Sequence, residues 1–216
     1  LEAPNTQRLQ DLAPRKDFSD ALFQRLRWID ELRRSLPGRV PSATTQFVVG
    51  AVGEPDVELL TTTSYLYREL RLARAYFSSF SPIPDTPLED HPPSDTVREH
   101  RLYQASFLLR DYGFDVEELP FVAGGNLPRD ADPKLAWARL HLSYAPIEVN
   151  TADREMLLRV PGIGLKSAER ILSARHRGTL HELSDLHKLG IATKRAMPFI
   201  LLDGRQPPRQ LSLWAF

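Results

Sequence analysis

The chain has no cysteine among its 216 residues, which excludes disulfides, thiolate nucleophiles, cysteine-ligated zinc and any iron-sulfur cluster held by this chain itself. No apolar run approaches the ~20 residues that a membrane-spanning helix needs, and no membrane partner is expected. The opening lacks the charged stretch and apolar stretch of a signal peptide, so the expected setting is cytoplasmic. Leu1 stands where a natural start would have Met, and the chain reads as a piece of a longer protein. Charge of one sign is also missing overall, with 28 basic and 28 acidic side chains. That balance hides a gradient: residues 1–46 sum to +2, 47–146 to −6 and 147–216 to +4. A basic end behind an acidic middle suits a nucleic-acid-binding appendage, although ordinary surface variation gives as much. His91, His100, His141, His176, His181 and His187 do not fall at metal-ligand spacings, and no metal site is expected.

What is present is an ordinary folded composition, 42% hydrophobic and 26% charged, long enough for one large domain or two small ones. The first half alternates between helix and strand periods. Asn5 or Thr6 can cap a short helix, and Phe18, Leu22, Leu26, Ile29, Leu32 and Leu36 recur at three- and four-residue steps before Gly38, predicting one amphipathic helix. "TTQFVVG", Thr44 to Gly50, predicts a strand covered on both faces. Glu54 and Pro55 open a second helix through Leu59, Tyr65, Leu66 and Leu70, and "RAYFSSF", Arg74 to Phe80, is a second strand. A third helix starts near Ser94, where Thr96 and Glu99 have capping-box spacing, and runs to Gly113. This order predicts a parallel α/β sheet. Two strands alone leave both edges unpaired, so further strands are expected before Leu1. From Asp115 the sequence reads as a connecting loop and then a helix near 133–142, with a domain boundary between Ser143 and Glu148.

"VNTADREMLLRVPGIGLKSAERILSARHRG", Val149 to Gly178, carries the most information. Thr151 and Asp153 supply N-caps, and Met156, Leu157 and Val160 line one helical face. Pro161-Gly162-Ile163-Gly164 then breaks the helix before Ala168, Ile171 and Leu172 begin another. Glycine at 162 and 164 permits conformations closed to other residues and close backbone approach, so these amides and the next helix's first turn can face a phosphate oxygen. Ile163 plugs the space between the helices, and Lys166, Ser167 and Arg170 lie within reach of the same or a neighbouring phosphate. A degraded copy follows: Leu183, Leu186 and Leu189 on a short helix, a hairpin of Leu189, Gly190, Ile191 and Ala192, and Thr193 capping a helix with Lys194 and Arg195. Two such units pack as a pseudo-symmetric pair, and paired hairpins can contact both strands of a duplex across its minor groove.

These residues resemble the helix-hairpin-helix DNA-binding family in its tandem arrangement, over about Glu148 to Asp203. The resemblance implies DNA as partner, gripped by the backbone, with a packing or protein-contact use of the same fold as the other possibility. The front half, through "LEAPN", "TTQFVVGAVGEPD", "RAYFSSFSPIPDTPLED", "REHRLYQASFLLRDYGF" and "GNLPRDADPKLAW", is similar to the C-terminal part of a radical S-adenosylmethionine barrel. The specific likeness is to a DNA modification or repair family associated with uracil-DNA-glycosylase-like proteins, which makes such a protein a possible partner. Asp85 stands where a glycine is common in that family's sixth strand. The fold class implied is α/β: residues 1–114 as the C-terminal portion of a partial (βα)6 TIM-like barrel, 115–147 as a connection, 148–205 as a small all-α tandem helix-hairpin-helix domain, and 206–216 as an apolar tail.

The same resemblance implies S-adenosylmethionine and a [4Fe-4S] cluster in the parent protein. The cluster's CxxxCxxC ligands are absent from this chain, and the catalytic residues are unknown. Cosubstrate contacts are implied at Glu2, Gly50, Glu54, Ser79 and Pro82; the plainer reading is that Glu54 caps a helix before Pro55 and that the glycines are turns. Trp28 and Trp137 are expected as packing residues, and Leu211, Leu213, Trp214 and Phe216 as a docking tail. Two functions stay open: a fragment of an enzyme that acts on DNA, or a non-enzymatic adaptor whose α/β half is scaffold.

Overall fold

The computed structural model describes residues 1–208, the side chain of Asp20 excepted, so the apolar tail residues named above lie outside the described residues. The chain forms two compact units, Leu1–Arg110 with Phe114–Pro133, and Asp111–Gly113 with the chain from Lys134 onward. The division falls after Pro133 and not between Ser143 and Glu148. The helix that follows Pro133 goes with the second unit because its Trp137, only 7% exposed, is buried there beneath the Arg159 guanidinium.

In the first unit, Asn5 caps α1 (Thr6–Leu12) by accepting from the Arg8 amide at 3.0 Å. The periodic stretch that follows is not one helix. A π-helical segment, Phe18–Phe23, runs into α2 (Gln24–Ser35), and its wider winding stacks Phe18 on Phe23 at 5.6 Å. Trp28, expected in packing, is 52% exposed. Strands β1 (Thr44–Val49) and β2 (Arg74–Ser79) pair in parallel, Thr44 opposite Arg74 through Val49 opposite Ser79. Phe47 and Phe77 stack at 5.9 Å on the buried face, and Tyr103 meets Phe77 edge-on. β1 is covered on one face only: Thr45, Phe47 and Val49 are buried, whereas Thr44 and Gln46 are exposed. The open face lines a cavity of about 650 Å³ with Glu2, Leu22, Leu26, Val48 and Tyr76.

Glu2 forms a parallel bridge to Phe47, its amide donating to Gln46 and its carbonyl accepting from Val48. Among the described residues the sheet is this bridge and two strands, and no closed barrel is present; the expected TIM-like barrel is corrected to a small parallel sheet with helices. Closure needs each strand paired on both edges, and the outer edge of β2 is sealed by side chains. The hydroxyls of Tyr67 and Tyr103 accept from the Ala75 and Phe77 amides at 3.1 Å each, and the Glu99 carboxylate accepts from the Ser79 amide at 2.7 Å. Glu99 therefore makes no capping box with Thr96. Asp95 caps α4 (Thr96–Asp111) instead, accepting from the Val97 amide at 2.8 Å. Asp85, at the position where glycine is common, adopts φ 61°, a left-handed conformation.

The loop from Gly50 to α3 (Asp56–Arg68) is held by buried charge. Glu54, 2% exposed, accepts from the Gly50 and Val52 amides. Asp56, fully buried, accepts from Arg98 Nε at 2.6 Å and from the Leu127 amide at 2.9 Å. Arg98 also donates to the Glu54 carbonyl. Removing the one cation leaves two carboxylates buried without it, which costs about 3–5 kcal/mol. Arg98→Met is expected to lower the unfolding free energy by that amount. Hydrogen exchange at the Gly50 and Leu127 amides is expected to accelerate well beyond that of exposed loops.

The second unit begins with α5 (Pro133–His141), where Trp137 stacks on His141 at 4.4 Å. It then crosses β3 (Ile147–Glu148) into α6 (Arg154–Arg159), α7 (Leu165–Arg175), α8 (Leu183–Lys188) and α9 (Thr193–Ala196), and returns through β4 (Ile200–Leu201). It is not all-α as expected. β3 and β4 pair in parallel, Ile147 with Ile200 and Glu148 with Leu201. Beyond β4, Leu202 and Arg205 pair around Asp203 and Gly204, both with positive φ, the two-residue turn that Asp-Gly favours. Glu148 joins these ends, one carboxylate oxygen accepting from Asn150 and the other from Gly204.

Candidate nucleic-acid interface

α6 starts as expected at Asp153, which accepts from the Met156 amide at 2.7 Å. Its buried face is Leu157 and Leu158, with Met156 turned out at 41% exposure. Val160 and Ile163, both fully buried, bracket the bend, and the Ile163 amide closes it by donating to the Val160 carbonyl at 3.1 Å. The isoleucine is thus the apolar plug predicted for it. Pro161 is buried, while Gly162 and Gly164 are half-buried at the surface.

The two glycines have different reasons to be there. Gly162 has φ 87°. A Cβ on it would meet the Ala192 carbonyl oxygen at 2.7 Å and Arg195 Cβ at 3.1 Å, so its missing side chain lets the second hairpin pack against the first. Gly164, the N-cap of α7, is extended at φ −100° and ψ −179°, where any residue fits, and its nearest neighbour on the Cβ side is the Tyr112 hydroxyl at 3.5 Å. The amides of Gly162, Gly164, Leu165, Lys166 and Ser167 donate to no acceptor among the described residues. They gather at the positive end of a helix of 11 residues, an arrangement suited to phosphate oxygens. Lys166 is exposed and Ser167 half-exposed beside them, as the sequence predicts.

Lys134 adds a group that the motif does not contain. Its Nζ donates to the Ile163 carbonyl at 2.5 Å and lies 4.7 Å from the centre of the Tyr112 ring. In a trans peptide the Gly164 N–H points away from the Ile163 C=O, so the ammonium both brings charge and fixes the direction of that amide. Burial, and after it the Asp111 carboxylate, pushes the Tyr112 phenol above its usual pKa, which leaves a neutral hydroxyl near Gly164. Nothing in the spacing of Lys134, about thirty residues upstream, signals this role.

The second copy is built differently. Gly190 has φ 74° and Ile191 is buried, as a hairpin requires. Thr193 does not cap α9, whose N-cap is Ala192 without a side-chain hydrogen bond. The amides of Gly190, Ile191, Thr193 and Arg195 all donate within the hairpin. Arg170, expected on phosphate, donates from Nη1 to the Leu189 carbonyl at 3.0 Å while remaining exposed. Backbone bonds from Glu182 and His181 hold the Asp185 carboxyl below its usual pKa at the start of α8.

The residues implied as cosubstrate contacts do not converge. Glu2 is ion-paired with Lys16 and lines the cavity on the open sheet face. Gly50 lines a separate cavity with Ala51, Val52, Leu88 and His91, and its Cβ position is filled by Ser94. Glu54 caps no helix; its carboxylate is buried on its own loop. Ser79 has a buried hydroxyl without a hydrogen-bond partner, and Pro82 lies half-exposed in the loop beyond it. As they stand these residues do not fit an S-adenosylmethionine site, and the chain offers no thiolate to a cluster.

Compared with known proteins, residues 143–193 match the helix-hairpin-helix motif family, a motif that commonly binds DNA without regard to sequence. No curated protein and no solved structure matches the chain significantly. No helix among the described residues is long and apolar enough to cross a membrane.

The glycine geometry separates folding from binding. Gly162→Ala is expected to destabilise the second unit by at least about 1–3 kcal/mol through its left-handed backbone alone, besides the collision with Ala192. Gly164→Ala should stay within about 1 kcal/mol of wild type. Thermal unfolding of both variants checks this.

Proposed function

We propose that this chain binds DNA through the sugar-phosphate backbone, without sequence preference, with the first hairpin as the principal contact. One observation carries the reading: a run of unpaired amides, Gly162 to Ser167 with Ile163 excepted, stands around a buried isoleucine at the start of α7. Backbone amides recognise phosphate oxygens and carry no information about the base. Lys166 supplies a mobile charge beside them, and Lys134 holds the Gly164 amide in its direction.

The first unit we read as the closing end of a larger parallel array, of the radical S-adenosylmethionine kind that the sequence resembles, in an enzyme acting on DNA. What supports this is the asymmetry of its edges. The β2 edge is capped by Tyr67, Tyr103 and Glu99, whereas β1 is met on its other side by a single bridge at Glu2, leaving room for parallel strands. Cluster and cosubstrate chemistry would belong to the parent protein, and a uracil-DNA-glycosylase-like partner rests on the resemblance alone. A CxxxCxxC segment upstream in the same reading frame, with reductive cleavage of S-adenosylmethionine by the whole protein, is the expected finding. A reading frame without one would favour the adaptor.

Fluorescence anisotropy with labelled duplexes tests the binding. Affinity should be the same for unrelated sequences and should fall with salt at a log-log slope of about −3 to −4, near minus the number of phosphates contacted. Gly164→Val, which folds but crowds the amides, should lose more affinity than Lys166→Ala. Equal affinities for wild type and both variants would defeat the hairpin reading.

A further inference from the structure

Nearly every amide of the second hairpin is spent on the hairpin itself, yet Lys194 and Arg195 follow it directly. Both side chains line a cleft of about 360 Å³ whose other wall is formed by Leu135, Arg139 and Ser143, from α5 and the residue pair beyond it. Pro198 and Phe199 complete the lining. Three cations and a hydroxyl from two separate stretches of chain thus face one concavity, with apolar atoms beside them. Like charges brought together repel unless an anion joins them, and a concave wall concentrates their field. The cleft also adjoins the first hairpin: Arg195 Cβ lies 3.1 Å from where a Cβ on Gly162 would stand. Arg139 precedes the segment that matches the helix-hairpin-helix family, so the motif does not account for it.

We propose that Arg139, Lys194 and Arg195 form a second phosphate subsite, which holds a further phosphodiester of the same DNA by side-chain charge in place of backbone amides. Ser143 offers a hydroxyl to the phosphate, and Leu135, Pro198 and Phe199 offer apolar surface to the sugar. The two motifs then grip by different means, the first by fixed dipoles and the second by cations that it shares with α5. This inference rests on the DNA-binding reading above.

The test uses the full chain and labelled duplex DNA, with anisotropy titrations at several salt concentrations. Arg139→Gln and Lys194→Gln are each expected to weaken binding several-fold and to reduce the magnitude of the salt slope by about one. Arg139→Lys should keep the wild-type slope. Arg39→Gln, an equal loss of charge at an exposed position of the first unit, should change neither. Circular dichroism would verify that the variants fold, and agreement between Arg139→Gln and Lys194→Gln guards against misfolding of either one. If wild type binds, Gly164→Val abolishes binding, and both glutamine variants keep wild-type affinity and slope, the subsite is wrong and the hairpin stands. If Arg39→Gln changes the slope as much as Arg139→Gln, the effect is net charge and the subsite is likewise overturned. If wild type binds no duplex at all, the DNA-binding reading itself fails.

Discussion

Where Gly162 lacks a side chain, the Ala192 carbonyl comes within 2.7 Å of the position a Cβ would occupy, and two hairpins meet backbone to backbone. The rest of the second unit is arranged around that approach. It requires φ 87° at Gly162, which turns the chain so that Ile163 enters the apolar interior and Gly164 begins α7 in an extended conformation. It brings Gly190 against the Arg170 guanidinium, 2.8 Å from that residue's ideal Cβ, which explains why Arg170 donates to the Leu189 carbonyl while still facing solvent. Asn150 then ties the start of the first motif to the chain between the two, its side chain exchanging hydrogen bonds with the backbone of Leu180. A methyl group at one position would loosen each of these contacts, and the exposed amides would lose their fixed direction.

The first hairpin was legible in the sequence because every signal it needs is local. A helix period, a proline, two glycines flanking an isoleucine and a second helix period all fall within a short span, and the isoleucine plug and the Asp153 cap follow from them. The alternation of helix and strand in the first unit was legible for the same reason. What could not be read comes from partners distant in sequence. Tyr67, Tyr103 and Glu99 look like helix surface or, in the case of Glu99, like a capping-box residue; only the placement of α3 and α4 beside β2 reveals that they cap a strand edge. Glu54 looks like the cap of a helix that begins with proline, yet a cation more than forty residues away helps to draw it inward. The β3–β4 pair is too short to leave a period in the sequence, and Lys134 carries no mark of the carbonyl that it holds. The split of the 18–36 helix at a π-segment was invisible too, because three- and four-residue steps fit both windings at the apolar positions.

The first unit shows how a parallel pair can be stable on one side and open on the other. An exposed edge invites pairing with another chain, and β2 meets the hazard with two phenol hydroxyls and a carboxylate that satisfy alternate amides. The β1 side uses the Glu2 bridge and leaves Thr44, Gln46 and Tyr76 facing a cavity. Polar and aromatic groups on that face tolerate water, so the sheet need not bury it to be stable. The charged cluster of Glu54, Asp56 and Arg98 lies at the opposite extreme of exposure. It ties the β1–α3 loop to α4 and, through Leu127, to the chain beyond Gly113, which fixes the direction in which the helices leave the sheet.

The difference between the two hairpins follows from their packing. One hairpin can serve as the floor for the other only by turning its backbone toward it, and Ala192, with its carbonyl and methyl both near Gly162, does so. A hairpin used in that way has fewer amides to present outward, and its own internal bonds take up most of the remainder. Glycine at 192 would be wasted there, since no phosphate could approach from the side that Gly162 occupies. The departure from a second glycine is therefore consistent with a division of roles: the first hairpin keeps its dipoles free, and the second supports it while its helix-borne cations remain available. Dipoles without net charge displace no counterions from DNA whereas cations do, so the two means of holding a phosphate differ in their response to salt even where they act on the same strand.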